Sequence, residues 1–148
     1  MDRRKPGSKH HLITCGRGTP LAAETTAANV NDITRFLAVV DAVPAIRGRR
    51  GRPRRRPASV YGDRAYHSRA TRSQLRRRRI KTKVARPTDP HGSGLGRRRW
   101  VVERTISWLH QHRRLRVRYE RRADIHEAFL TIGCCLICFK QLQAVESF

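Results

Sequence analysis

The chain has 148 residues, enough for one domain with a modest core. Its 34 Lys and Arg stand against 11 Asp and Glu, a net charge of +23, which excludes polycationic partners and points to a polyanion, most simply nucleic acid. Most of the basic residues are Arg, whose planar fork suits bidentate phosphate contacts better than Lys does; the competing reading is a surface that only keeps the protein soluble.

Residues 1–8 read as a loose, charged lead-in with no apolar segment of the kind a signal peptide needs. Residues 10–14 and 21–26 predict two strands around a Gly and Pro turn, a hairpin that needs further strands for stability. Asn29 to Val43 predicts a helix, capped by Asn29, with Asp32 near its positive end and Val30, Ile33, Phe36, Leu37 and Val40 as its apolar stripe. Arg47 to Pro57 holds seven Arg with only Gly and Pro between them. Such a stretch buries no core, so it is expected to be mobile without a ligand and to grip phosphate when one is present.

Ala58 to Tyr61 predicts a short strand with Asp63 just past its end. Two readings of Asp63 stay open: a turn residue that caps the next segment, or a metal-binding carboxylate. Ser68 caps a predicted helix over 69–79, and 80–85 alternates as a half-buried strand should. Residues 86–96 read as a loop. Arg97 to Glu120 reads as a helix, with Val102, Thr105, Ile106 and Leu109 on the docking face and Arg99, Glu103, Ser107, His110 and Arg114 on a polar face. Its last part, 115–119, alternates and could equally be a strand. Glu103 is either a surface residue paired with Arg99 or a metal ligand in a phosphate-handling site.

Asp124 opens the last helix with Glu127 as a capping-box partner, and Ile125, Phe129, Ile132, Leu136 and Phe139 form a stripe that is core or a partner surface. The apolar run 128–139 is about half the length of a membrane span. The four cysteines, Cys15, Cys134, Cys135 and Cys138, make no disulfide framework and imply a reducing, cytoplasmic setting. Cys135 and Cys138 form a CxxC without a second pair, which favours buried helix cysteines over a zinc site.

At Val60-Tyr61-Gly62-Asp63-Arg64-Ala65-Tyr66 and at Arg99-Trp100-Val101-Val102-Glu103-Arg104-Thr105 the chain resembles bacterial insertion-sequence transposases of the DDE type, in the group numbered four and five. The resemblance runs from about Ser8 to Leu142. It implies an α/β, RNase H-like fold, a mixed sheet flanked by helices, over 9–143, with 144–148 as a tail. It implies Asp63 and Glu103 as the second and third catalytic carboxylates, which hold two Mg2+ or Mn2+ ions for DNA strand cleavage and transfer. The first Asp belongs on a strand before the hairpin. Asp2 is the only acid available there, so the chain is expected to be N-terminally truncated, or the second half of a split protein, and inactive alone. His110 stands where a wider family signature has Lys. DNA contacts are expected from Arg64, Arg99, Arg104, Arg113 and Arg114 and, in the Arg-rich loop, Arg49, Arg50, Arg54 and Arg55. The partners implied are transposon ends and target DNA, an upstream-encoded half and a second copy, with no membrane, near the bacterial nucleoid. The rival reading is a basic DNA-binding or regulatory protein without chemistry. A ribosomal-type RNA-binding protein fits the charge but leaves Asp63 and Glu103 unexplained.

Overall fold

The computed structural model describes residues 7–48, 51–85 and 96–146, with the side chains of 96–99 and 145–146 outside the description. It divides into two compact units: Met1–Val30 with Val101–Phe148, and Asn31–Trp100. The described strands form two separate two-stranded sheets, one antiparallel and one parallel, where a single mixed sheet was expected. The class is therefore mixed α/β with small sheets and helices.

In the first unit, β1 (Ser8–Thr14) and β2 (Pro20–Ala27) pair antiparallel from Ser8 opposite Ala27, and the register shifts between Ile13 and Thr14. The turn is closed by the Cys15 N–H donating to the Thr19 carbonyl at 2.9 Å. Gly18 holds it at φ +89°, a conformation that favours glycine. A Cβ there would also lie 3.0 Å from the Thr105 hydroxyl, so the turn and the helix above it fit only without a side chain.

Three helices follow in this unit. Helix α3 spans Gly96–Leu109, α4 is the single turn Arg113–Arg116, and α5 runs Ala123–Glu146. The long helix expected over 97–120 thus breaks after Leu109, and 117–122 is neither helix nor strand. Leu109, Leu115, Leu130 and Ile137 are the buried centre, with Leu12, Ala23, Trp108, Phe129 and Cys134 packed around them. Each such side chain contributes about 1.5–3 kcal/mol when withdrawn from water.

Helix α5 does not present the expected stripe to the core. His126, Leu130, Gly133 and Ile137 are buried, while Ile125, Ile132, Leu136 and Phe139 are exposed, together with Leu142. Gly133 explains the choice. A Cβ at that position would come within 2.7 Å of Leu115 Cδ1 and 3.0 Å of Leu109 Cδ2, so its absence lets those leucines reach the helix backbone. Phe129 alone of the expected stripe joins the core margin.

Residues 123–144 of α5 are long and apolar enough to cross a membrane by length and composition, with 22% of the most apolar window buried. The helix is longer than the 128–139 run because Glu127 and Lys140 do not interrupt it. Glu127 does not close a capping box either, since its carboxylate accepts the Thr25 N–H of β2 at 2.7 Å. The cysteines are free, and Cys135 is exposed rather than buried. Burial pushes the Cys134 thiol up to about 11.

In the second unit, α1 (Asp32–Asp41) is capped by Asn31, not Asn29: the Asn31 side chain accepts the Ile33 N–H at 3.2 Å. β3 (Ser59–Gly62) pairs parallel with β4 (Lys81–Val84). The crossover contains a 3-10 turn, Arg64–Tyr66, and α2 (Arg69–Arg77), whose cap Ser68 accepts the Thr71 N–H as expected. Two parallel strands are stable only when covered. Here Val39, Val40, Val60, Leu75, Ile80 and Val84 are buried, and the Phe36 and Tyr66 rings lie 5.1 Å apart. The Arg-rich loop is pinned at its base, where Ile46 and Arg54 exchange both backbone hydrogen bonds at 2.9 and 2.8 Å.

Candidate functional site

Asp63 follows the last residue of β3. Gly62 brings the strand end close to its neighbour: a Cβ there would sit 3.1 Å from Val84 Cγ2, inside ordinary contact distance. Asp63 itself is exposed and extended, and its Oδ1 accepts the Arg64 N–H, so it caps the 3-10 turn. The capping role is thus present, and it occupies one carboxylate oxygen without burying the group. The Tyr66 phenol is raised first by burial and then by the nearby charges of Asp32 and Asp63. That places a second acid, Asp32, in the same electrostatic neighbourhood, although the sequence suggested only a helix-dipole role for it.

Glu103 lies in the other unit, on the exposed side of α3. Its helix docks through Val101, Thr105 and Leu109, which are 8%, 0% and 0% exposed, while Val102 and Ile106 are only half-buried. Thr105 and Leu109 of the expected stripe are therefore buried, with Val101 in the row in place of Val102 and Ile106. Thr105 is the reason a polar side chain belongs there. Its hydroxyl lies 2.9 Å from both the Gly18 and the Val101 carbonyl oxygens, so the hairpin turn and the helix share one donor. With that row inward, Glu103, Ser107 and His110 face outward, as the polar face required.

The guanidinium groups named from sequence differ in what they already hold. Arg104 donates to the Arg17 carbonyl at 2.9 Å and lies 4.8 Å from the Trp108 ring centre. Arg114 pairs with Glu120 and stacks over Phe129 at 5.2 Å. Arg113 donates to the Tyr119 hydroxyl at 3.0 Å. Arg64 is half-buried, while Arg54 and Arg55 are exposed. Arg49, Arg50 and the side chain of Arg99 lie outside the described residues.

A histidine cluster in the first unit gave no sequence signal. The Nε2 atoms of His10 on β1 and His126 on α5 share a hydrogen bond at 2.9 Å, and the rings stack 5.2 Å apart. His126 is 1% exposed, and its Nδ1 lies 3.4 Å from Glu120 Oε2. Burial, then the neighbouring imidazoles of His126, His110 and His11, lower His10 to about 4. The Arg114 hydrogen bond, ahead of any other cause, holds the Glu120 carboxyl below the usual carboxylate range. This cluster joins hairpin to helix, and a histidine inside an apolar stripe does not announce its partner.

A divalent ion of the Mg2+ type takes hard oxygen ligands, which Asp63 and Glu103 supply and the cysteines and histidines do not. The donor chemistry of each acid fits such an ion. Among the described residues no three His, Cys, Asp or Glu side chains gather closely enough to hold a metal.

Over residues 2–138 the chain matches the family described as "Transposase DDE domain". It is 58% identical over 145 residues to a Burkholderia cepacia protein named as a transposase for insertion sequence element IS402, which covers 98% of this chain and 69% of that relative. No solved structure matches.

Proposed function

We infer function from family, because the chain belongs to the DDE-domain transposases. It is a DNA transposase by descent. In the complete enzyme we assign it a part in metal-dependent phosphoryl transfer, in which DNA strands are cut and joined. Such chemistry asks a protein mainly for positioning and charge neutralisation. Asp63 would be the second and Glu103 the third of three carboxylates, on a fold of the RNase H type. Mg2+ or Mn2+, when bound, supplies Lewis acidity and an activated oxygen nucleophile.

The residues of this chain have plainer tasks. Asp63 keeps one oxygen on the Arg64 N–H and turns its carboxylate to solvent. Glu103 presents a carboxylate from a helix fixed by Thr105. Arg64, Arg54 and Arg55, with Arg49 and Arg50 of the same loop and Arg99 at the start of α3, are assigned to the phosphate backbone. Arg104, Arg113 and Arg114 already hold partners within the fold, and the exposed Arg113 and Arg114 keep further N–H groups for phosphate. The partners assigned are transposon ends and target DNA, with a second transposase chain, in the bacterial cytoplasm.

The observation that carries this reading is the identity of 58% along almost the whole chain. A narrower form of it is that the chain alone binds DNA and does not turn over. Purified chain incubated with Mg2+, transposon-end duplex and supercoiled target should give no strand-transfer product. Robust product would refute the narrower form. Product that disappears in both Asp63→Ala and Glu103→Ala would establish the catalytic one.

A further inference from the structure

Helix α2 ends in a run of four arginines, Arg76 to Arg79, which the reading above leaves without a task. The fold uses one of them. Arg78 is half-buried and pairs with Asp41 at 2.8 Å. Arg76 and Arg79 are exposed, and with Arg72, Ile80, Lys81 and Thr82 they line a cleft of about 360 Å3 within the second unit. Arg72 forms its anchored side. One Nη donates to the Val84 carbonyl, while its Nε is buried without a hydrogen-bond partner. A buried donor in that state calls for an acceptor, which a water or an incoming oxygen supplies. Among the described residues, no carboxylate pairs with Arg76, Arg79 or Lys81, so this cleft gathers positive charge and nothing to neutralise it.

The backbone supplies an independent sign. Helix α2 closes with the Ile80 N–H donating to the Leu75 carbonyl and the Arg79 N–H to the Arg76 carbonyl, both at 2.9 Å. This is the Schellman closure, whose left-handed residue is usually Gly. Here it is Arg79, at φ +58°, the one non-glycine residue with positive φ among the described residues. A side chain in that conformation works against folding, and such outliers concentrate where the side chain has work to do.

We propose that the α2–β4 cleft, formed by Arg72, Arg76, Arg79 and Lys81, is a binding site for the phosphodiester backbone of duplex DNA. The proposal rests on the DNA-acting reading above and adds a surface which that reading does not use. Backbone contacts of this kind hold DNA without reading its sequence. Arg79→Gly tests it, because the substitution relaxes the backbone while it removes the charge. The variant should unfold at higher urea than the parent chain and yet bind a labelled duplex of arbitrary sequence more weakly, by up to about fivefold.

The slope of log affinity against log salt should fall by about 0.9 for Arg79→Gly and by about 1.8 for Arg76→Gln with Arg79→Gly. Arg122→Gln, which removes the same charge from the exposed Arg122–Asp124 pair, should leave the slope unchanged. Inorganic phosphate should compete only at concentrations that also act through ionic strength. If the parent chain binds duplex and the double variant keeps its slope, this site is refuted while the family reading stands. If the parent chain binds no duplex at all, both fall.

Discussion

Lowering the pH from 7 to 5 should loosen the packing of α5 on the hairpin, and His10 is the reason. Its pKa is about 4 in the folded chain against 6.5 when unfolded. Because the folded value is the lower one, the unfolded chain takes up the proton first, so stability falls as pH drops below 6.5 and levels off once the folded form also protonates near 4. A shift of that size corresponds to about 2 kcal/mol lost between pH 7 and pH 5. His10 is only half-buried, so solvent screening reduces this to about 1 kcal/mol.

The imidazoles that face it, His126, then His110 and His11, lower its pKa further after burial does. Glu120 and Asp124, both lowered, add their losses at more acid pH, below the usual carboxylate range. Urea unfolding followed by tryptophan fluorescence at pH 7, 6, 5 and 4 measures the curve. His10→Gln keeps a hydrogen-bonding partner for His126 and removes the titration, so it should flatten the segment from 6.5 to 4. An unchanged profile in that variant would refute the assignment.

Two further outcomes rest on the packing. Gly133→Ala should destabilise the first unit by about 1 kcal/mol net: overpacking against Leu109 and Leu115 costs about 1–3 kcal/mol, and the gain in helix propensity of about 1 kcal/mol offsets only part of it. A rise in the urea midpoint would show that the leucines yield. Asp63→Asn keeps a side chain able to cap the Arg64–Tyr66 turn, so stability should stay within about 0.5 kcal/mol, whereas Asp63→Ala should lose about 1 kcal/mol. If Asp63 is also a metal ligand, Asn should abolish any Mg2+-dependent protection of Asp63's neighbours from hydrogen exchange, and a protection pattern equal to that of the parent chain would leave Asp63 as a cap only.

Local chemistry was the legible part of this fold. Ser68 announced α2, the Gly and Pro turn announced the hairpin, and the alternation at 80–85 announced β4, because each depends on residues a few positions apart. Where two residues offered the same chemistry, sequence could not choose. Asn29 and Asn31 can both cap, and the helix starts after the second. The break after Leu109 carries no Gly or Pro, and α4 begins at His112 without a side-chain cap.

Sequence left the α5 stripe as core or partner surface, and the face that packs inward was set by something else. Hydrophobic periodicity weighs Ile125, Ile132, Leu136 and Phe139 above His126 and Gly133. Packing rewards close approach, and a glycine against two leucines approaches more closely than an isoleucine can. The two motifs at Asp63 and Glu103 lie on different elements, one past the end of β3 and one on α3. That Asp63 caps a turn was one of the two readings its sequence offered and rests on the adjacent Arg64 N–H, whereas the burial of Thr105 opposite Glu103 depends on Gly18, 87 residues away, which spacing does not encode.

The same distinction limits what the charge of +23 can mean. In the first unit several guanidiniums are engaged inside the fold, while Arg17, Arg116 and Arg121 are exposed. Arg118 reaches Ser8 at 2.5 Å and the Glu120 and Arg121 carbonyls at 2.7 and 3.1 Å, Arg114 holds Glu120, and Arg104 holds the turn at Arg17. Arg118, with three such contacts, would have to break one to meet a phosphate, and that cost offsets much of the gain from counterion release. Arg76, Arg79 and Lys81 in the second unit, and the exposed Arg54 and Arg55, face no comparable cost. DNA affinity should therefore follow the exposed arginines rather than the count of basic residues, and the salt dependence should correspond to fewer phosphates than the net charge.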